Sequence, residues 1–124
     1  MSRDSFVNRD KKLSPSHRRA PKQEKMLSER FKGRRVPGSG SGHQKGDVQI
    51  KGVARIEAKT TKAKSFSVTR KMIHKITEAG MLHDEVPVLV IEFVDERGKP
   101  EQEVVVMPMY ALEQLIARLG ETDG

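Results

Sequence analysis

The run from Val86 to Val94, VPVLVIEFV, is nearly continuously apolar and rich in β-branched residues. A strand with one wet face alternates apolar and polar side chains, so an unbroken run of this length describes a central strand covered on both faces. The rest of the chain must therefore supply neighbouring strands and cover for two sides of a sheet. Gln102 to Met107 follows after a turn from Asp95 to Pro100 and reads as a strand beside it.

A second stretch, Pro37 to Thr61, carries a different pattern. The glycine- and serine-rich loop PGSGSG leads to a short strand from Asp47 to Ile50, a tight turn at Lys51 and Gly52, and a strand from Val53 to Lys59. On that last strand Val53, Arg55, Glu57 and Lys59 share one face, and Ala54, Ile56 and Ala58 share the other. Antiparallel pairing across the turn would bring Asp47 close to Glu57, so that two carboxylates and an ammonium converge. Such charges are costly to leave unpartnered, and a hard divalent cation satisfies the carboxylates. The alternative is an exposed, salt-bridged face. The glycine-rich loop lacks the Lys-Ser/Thr ending of a nucleotide-binding P-loop. His43 reads as a solvent-exposed loop residue and His74 as a surface one.

Residues 1–19 are polar and basic without sustained periodicity and are expected to form a flexible arm, in which Arg18 and Arg19 would be mobile phosphate contacts. Residues 20–124 then form a single domain. A first helix is expected over 21–32, opened by Pro21 and closed by Gly33, with Met26, Leu27 and Phe31 as its apolar stripe and Glu24 on the rim. Arg34 to Val36 suits a short strand. Thr69 can cap a helix that presents Met72, Ile73, Ile76 and Ala79 on one side and ends at Gly80, with Met81 packing back. A last helix from about Pro108 to Leu119 aligns Met109, Leu112, Leu115, Ile116 and Leu119 before Gly120. The order of elements gives an α/β fold, a mixed sheet of about five strands flanked by helices.

The chain of 124 residues has no cysteine, which excludes a disulfide framework, a thiolate metal site and a cysteine nucleophile. No apolar run approaches the ~20 residues needed to cross a bilayer, and a soluble protein of the cytoplasm, free of the membrane, is expected. Charge is divided unevenly: Met1 to Lys75 hold 21 of the 24 basic side chains and 6 of the 17 acidic ones, leaving +15, whereas the remainder carries −8. A basic half of that size is the footprint of a polyanion, since each cation placed on a phosphate releases condensed counterions. No basic amphipathic helix with a large apolar face accompanies it, which favours nucleic acid over a membrane surface.

Glu24 on a helix, the PGSGSG loop, Gly46-Asp47, and I-E-A-K-T-T from 56 to 61, followed by a helix and an apolar strand, resemble the PD-(D/E)xK nuclease superfamily. The order and spacing are similar to those of Holliday junction resolvases of the archaeal type and their phage-encoded relatives. The resemblance covers about residues 20–119; Gly46 stands where the motif has proline.

The resemblance implies a restriction-endonuclease-like fold and a magnesium-dependent endonuclease, with manganese as a substitute ion. Asp47 and Glu57 would bind the metal with the Ala58 carbonyl, Glu24 would complete the acidic cluster, and Lys59 would orient or deprotonate the attacking water. Arg35, Ser39 and Ser41 fall where relatives contact substrate phosphates, and Lys62, Lys64, Arg70 and Lys71 continue the basic surface. Branched DNA, most simply a four-way junction, would be the substrate, a homodimer the active form, and a bacterial, archaeal or phage-infected cell the setting. The alternatives are a nuclease of the same fold acting on nicked, flap or duplex DNA, and a non-catalytic nucleic-acid-binding protein.

Overall fold

Leu89 and Val86 are fully buried, and every residue from Val86 to Val94 except Phe93 is buried, as the sequence pattern of that strand requires. The computed structural model describes residues 15–36 and 46–123; of the side chains, it describes those of 19–36 and 48–121. The elements in chain order are α1 (Pro15–Arg30), β1 (Arg34–Val36), β2 (Gly46–Ile50), β3 (Ala54–Thr61), α2 (Arg70–His83), β4 (Val86–Val94), β5 (Pro100–Val106) and α3 (Met109–Asp123). The fold is α/β: among the described residues there is one mixed five-stranded sheet in the order β1-β2-β3-β4-β5, with three helices. Pairing is antiparallel throughout except between β3 and β4, which run parallel because α2 crosses over between them.

The two sheet faces have separate cores. Val48, Ile56, Ala58, Val86, Val88 and Val90 pack with Leu27 of α1 and Ala111 of α3. Leu89 and Ile91 pack on the other side with Ile76, Met72 and Ile73 of α2, beside Phe66 and Phe93. The alternation expected for β3 therefore holds: Ile56 and Ala58 lie under α1, which leaves Glu57 and Lys59 to the α2 face. Among the described residues, no helix is long and apolar enough to cross a membrane.

Helix boundaries depart from the sequence reading for physical reasons. Helix α1 begins at Pro15, so Pro21 sits inside it, and Arg19 is held by Glu92 through Nε to Oε1 at 2.9 Å and Nη2 to Oε2 at 3.0 Å. Arg19 is thus an anchor of α1 on the sheet and not a mobile phosphate contact; a bidentate pair to a carboxylate that is 2 % exposed outweighs the cost of an internal proline. Residues 1–14 of the expected arm lie outside the described residues.

At its other end α1 closes in a Schellman motif, with Gly33 N–H donating to the Ser28 carbonyl at 2.8 Å and Lys32 taking the left-handed position at φ 56°. Gly33 serves close approach instead: a Cβ there would lie 2.7 Å from the Gln49 carbonyl oxygen. Helix α2 is capped by Thr69, whose hydroxyl accepts from Met72 N–H at 3.2 Å, as expected. It does not stop at Gly80 but runs to His83, where Asp84 takes φ 54°, and Met81 is exposed rather than packed back. Helix α3 likewise continues past Gly120, and of its stripe only Leu115 packs against the core: Met109, Leu112, Ile116 and Leu119 are exposed, beside exposed Val105 of β5.

Two glycines in helices should respond oppositely to alanine. At Gly80 a Cβ would lie 2.5 Å from the Glu85 carbonyl oxygen, so Gly80→Ala should destabilise by about 2 kcal/mol. At Gly120 nothing lies within 4 Å, and Gly120→Ala should stabilise by up to about 1 kcal/mol. Urea denaturation of both variants reads the two signs.

Candidate active site

Register fixes what meets on β3. Asp47 of β2 is the Cα partner of Glu57, Val36 of β1 is the partner of Asp47, and Leu89 of β4 is the partner of Glu57 on the far side. Partners in a sheet share a face, so Asp47 occupies the register position beside Glu57 on the α2 side. The backbone of Asp47 is described; its side chain lies outside the described residues. The Glu57 and Lys59 side chains are joined, with Lys59 Nζ 3.3 Å from Glu57 Oε2, and both are largely shielded.

These two side chains form one wall of a cavity of about 200 Å³. Leu89, Ile76 and Met72 line it with apolar surface, and Thr69, Lys71 and Lys75 of the start of α2 complete it. The parallel crossover is the cause: it carries the chain from the end of β3 over the sheet, so that the first two turns of α2 come down beside the charged residues of β3.

Backbone position at Lys59 is set from the opposite face. Pairing of β2 with β3 ends at Gly46 and Ala58, one residue before Lys59. Gln23 of α1, 1 % exposed, donates from Nε2 to the Lys59 carbonyl at 2.9 Å, one residue beyond the last described β2–β3 pair. Its Oε1 is buried without a partner among the described residues.

Glu24 is not brought to this cluster. It stands on α1 beside Arg35 of β1, whose Nη2 is 3.4 Å from Glu24 Oε1. Arg35 pairs with Val48, which belongs to the core under α1, so Glu24 and Arg35 occupy the face opposite Glu57. Burial raises the Glu24 carboxyl above the ordinary range, with Arg35 opposing the shift.

The other expected contacts divide. Lys62, Lys64, Arg70 and Lys71 are exposed on the segment from β3 into α2. Ser39, Ser41 and His43 lie outside the described residues. His74 is exposed and 3.2 Å from Glu78, a surface pair one helical turn apart.

Sequence reasoning passed over Lys75 and Gln23. Lys75 is signalled by its spacing of four from Lys71, which stacks the two on one helix face. Gln23 carries no sequence signal, since its role depends on which backbone group of the sheet α1 lies over. It also passed over Glu85, 5 % exposed, which accepts from Gln49 Nε2 at 2.7 Å and Gly52 N–H at 2.9 Å and faces Arg55 at 3.7 Å. Arg55 shares the face of Glu57 but is committed to this buried carboxylate.

Among the described residues, no group of three or more His, Cys, Asp or Glu is placed to hold a metal. The residue types nevertheless suit a hard cation with few protein ligands: Asp47 and Glu57 are carboxylate residues at paired register positions. Magnesium is commonly held by one or two carboxylates and completed by water. No protein-family model, curated protein or solved structure matches the chain.

The raised Glu24 carboxyl gives a testable pH dependence. Above its ordinary value of 4.5 the folded chain keeps a proton that the unfolded chain releases, so stability falls as pH rises toward the raised value. Glu24→Gln removes that loss. The difference in melting temperature between Glu24→Gln and the unaltered chain should move in favour of the variant as pH rises above 4.5; a difference constant across the series would exclude the burial effect.

Proposed function

We propose that the protein is a metal-dependent, structure-selective DNA endonuclease of the PD-(D/E)xK type that hydrolyses phosphodiester bonds, with the four-way junction as its leading substrate. The observation that carries this reading is the register pairing of Asp47 with Glu57, with Lys59 two residues on along the same face and a lysine-lined cavity in front. The +15 charge of the first 75 residues supports a nucleic-acid partner.

Asp47 and Glu57 would hold magnesium, or manganese in its place, with the Ala58 carbonyl as a third donor. The ion when bound supplies Lewis-acid polarisation of the phosphate and a lowered pKa for attacking water. The remaining work falls to the chain. Lys59, its carbonyl fixed by Gln23 and its ammonium beside Glu57, orients the water and offsets the negative charge that grows as the phosphorus–oxygen bond to the leaving group breaks. Glu24 takes no part in this scheme; its geometry supports a role in packing α1 against β1 through Arg35.

A four-way junction has two symmetric scissile strands and so calls for two active sites related by a two-fold axis. The exposed apolar side chains of α3, Met109, Leu112, Ile116 and Leu119, recur at intervals of three and four, the pattern of a helix that packs against another helix. A second copy covering this face would make the homodimer.

Glu57→Ala and Lys59→Ala should each lower cleavage in magnesium by about a hundredfold or more while junction binding in calcium persists. Four-way junction, flap and linear duplex, compared under one set of conditions, should be cut in that order of preference. An unaltered protein that cuts none of them in magnesium or manganese would leave a nucleic-acid-binding protein. For the dimer, sedimentation velocity should show Ile116→Glu as a monomer and the unaltered chain as a dimer; two identical profiles would remove α3 as the interface.

A further inference from the structure

The first turn of α2 carries no acidic residue but has Arg70 and Lys71, at the end of a helix whose dipole favours anions. Lys75 lies one turn further on, and two lysines at this spacing repel each other. Neither Lys71 nor Lys75 has an acidic partner among the described residues, although both line the cavity walled by Glu57 and Lys59. Helix stability alone selects against this arrangement, and the conflict is resolved when an anion occupies the cavity mouth.

We infer that Lys71 and Lys75 form a phosphate-binding subsite, which seats the backbone phosphates adjoining the one presented to Glu57 and Lys59. The identification of that strand as the scissile one rests on the nuclease reading; the binding of DNA phosphate does not. Three features carry the assignment. The lysines share one cavity with the paired charges of β3. They stand on a regular 14-residue helix whose start is fixed by the Thr69 cap. Apolar Ile76 of the same helix is buried in the core on Leu89, which holds the helix in place relative to β3. Lys71 and Lys75 are thus positioning residues: they set where along the strand the backbone comes to rest, by charge and without reading bases.

The test measures binding of a fluorescein-labelled synthetic four-way junction in EDTA, over a series of salt concentrations. Lys71→Gln/Lys75→Gln should weaken binding about tenfold and lower the slope of log affinity against log salt by about two, one per lysine. Lys71→Arg/Lys75→Arg should restore both quantities. Lys22→Gln/Lys25→Gln, which removes the same charge from exposed positions on α1, should leave the slope in place. The melting temperature of the glutamine variant should not fall, because a repulsive pair has been removed. An unchanged slope in that variant, an equal fall in the α1 control, failure of arginine to restore binding, or an unaltered chain that does not bind the junction would each overturn the subsite. Intact binding with these shifts but no cleavage in magnesium would keep the subsite and remove the nuclease reading; normal cleavage with an unchanged slope would do the reverse.

Discussion

The parallel pairing of β3 with β4 is the constraint on which the remaining arrangement depends. Parallel neighbours need a crossover, and the crossover here is a helix laid over one sheet face. That helix buries Leu89 and Ile91 of β4 with its apolar side, while its first turns overhang the charged residues of β3. A hairpin in place of the crossover would have left Glu57 and Lys59 on an open sheet surface. The apolar demand of β4 and the construction of a cavity with charged residues at its wall are thus met by one element.

Charge is sorted by residue type as well as by position. Arg19, Arg30, Arg35 and Arg55 face Glu92, Glu103, Glu24 and Glu85, and Arg34 donates to Gln49, which in turn donates to Glu85. Glu85 and Glu92 are buried almost completely, and a buried carboxylate is tolerable only with such donors. Guanidinium suits this task because it presents several donors in a fixed plane. Five arginines of the basic half therefore serve the fold, and the exposed basic residues from β3 into α2 are mostly lysine.

The strands were legible in the sequence because their signals are local. The β-branched run of β4, the alternation of β3 and the glycine turn between β2 and β3 each specify their own geometry, and Gly52 indeed takes φ 73°. The helix ends were less legible. Gly33, Gly80 and Gly120 looked like stops, yet Gly33 and Gly80 are glycine because backbone passes within 2.7 and 2.5 Å of where a Cβ would sit, a long-range fact. The left-handed positions went to Lys32, which no composition rule favours, and to Asp84, of a type that visits this region only more often than most. At the candidate site, the adjacency of Asp47 and Glu57 followed from the hairpin. The separation of Glu24 did not, since it depends on which face α1 covers.

Because guanidinium groups hold the buried carboxylates, and Lys59 is the described lysine that shares an ion pair with a carboxylate, the two kinds of cation can be addressed separately by chemistry. Acylation of ε-amines erases lysine charge and does not touch arginine. Such a modification at Lys62, Lys64, Lys71 and Lys75 would remove the charge of the proposed polyanion surface while the framework around Glu85 and Glu92 stayed intact. The molecule thus separates what keeps it folded from the surface proposed to engage a partner, and it does so by the choice between two side chains of equal charge.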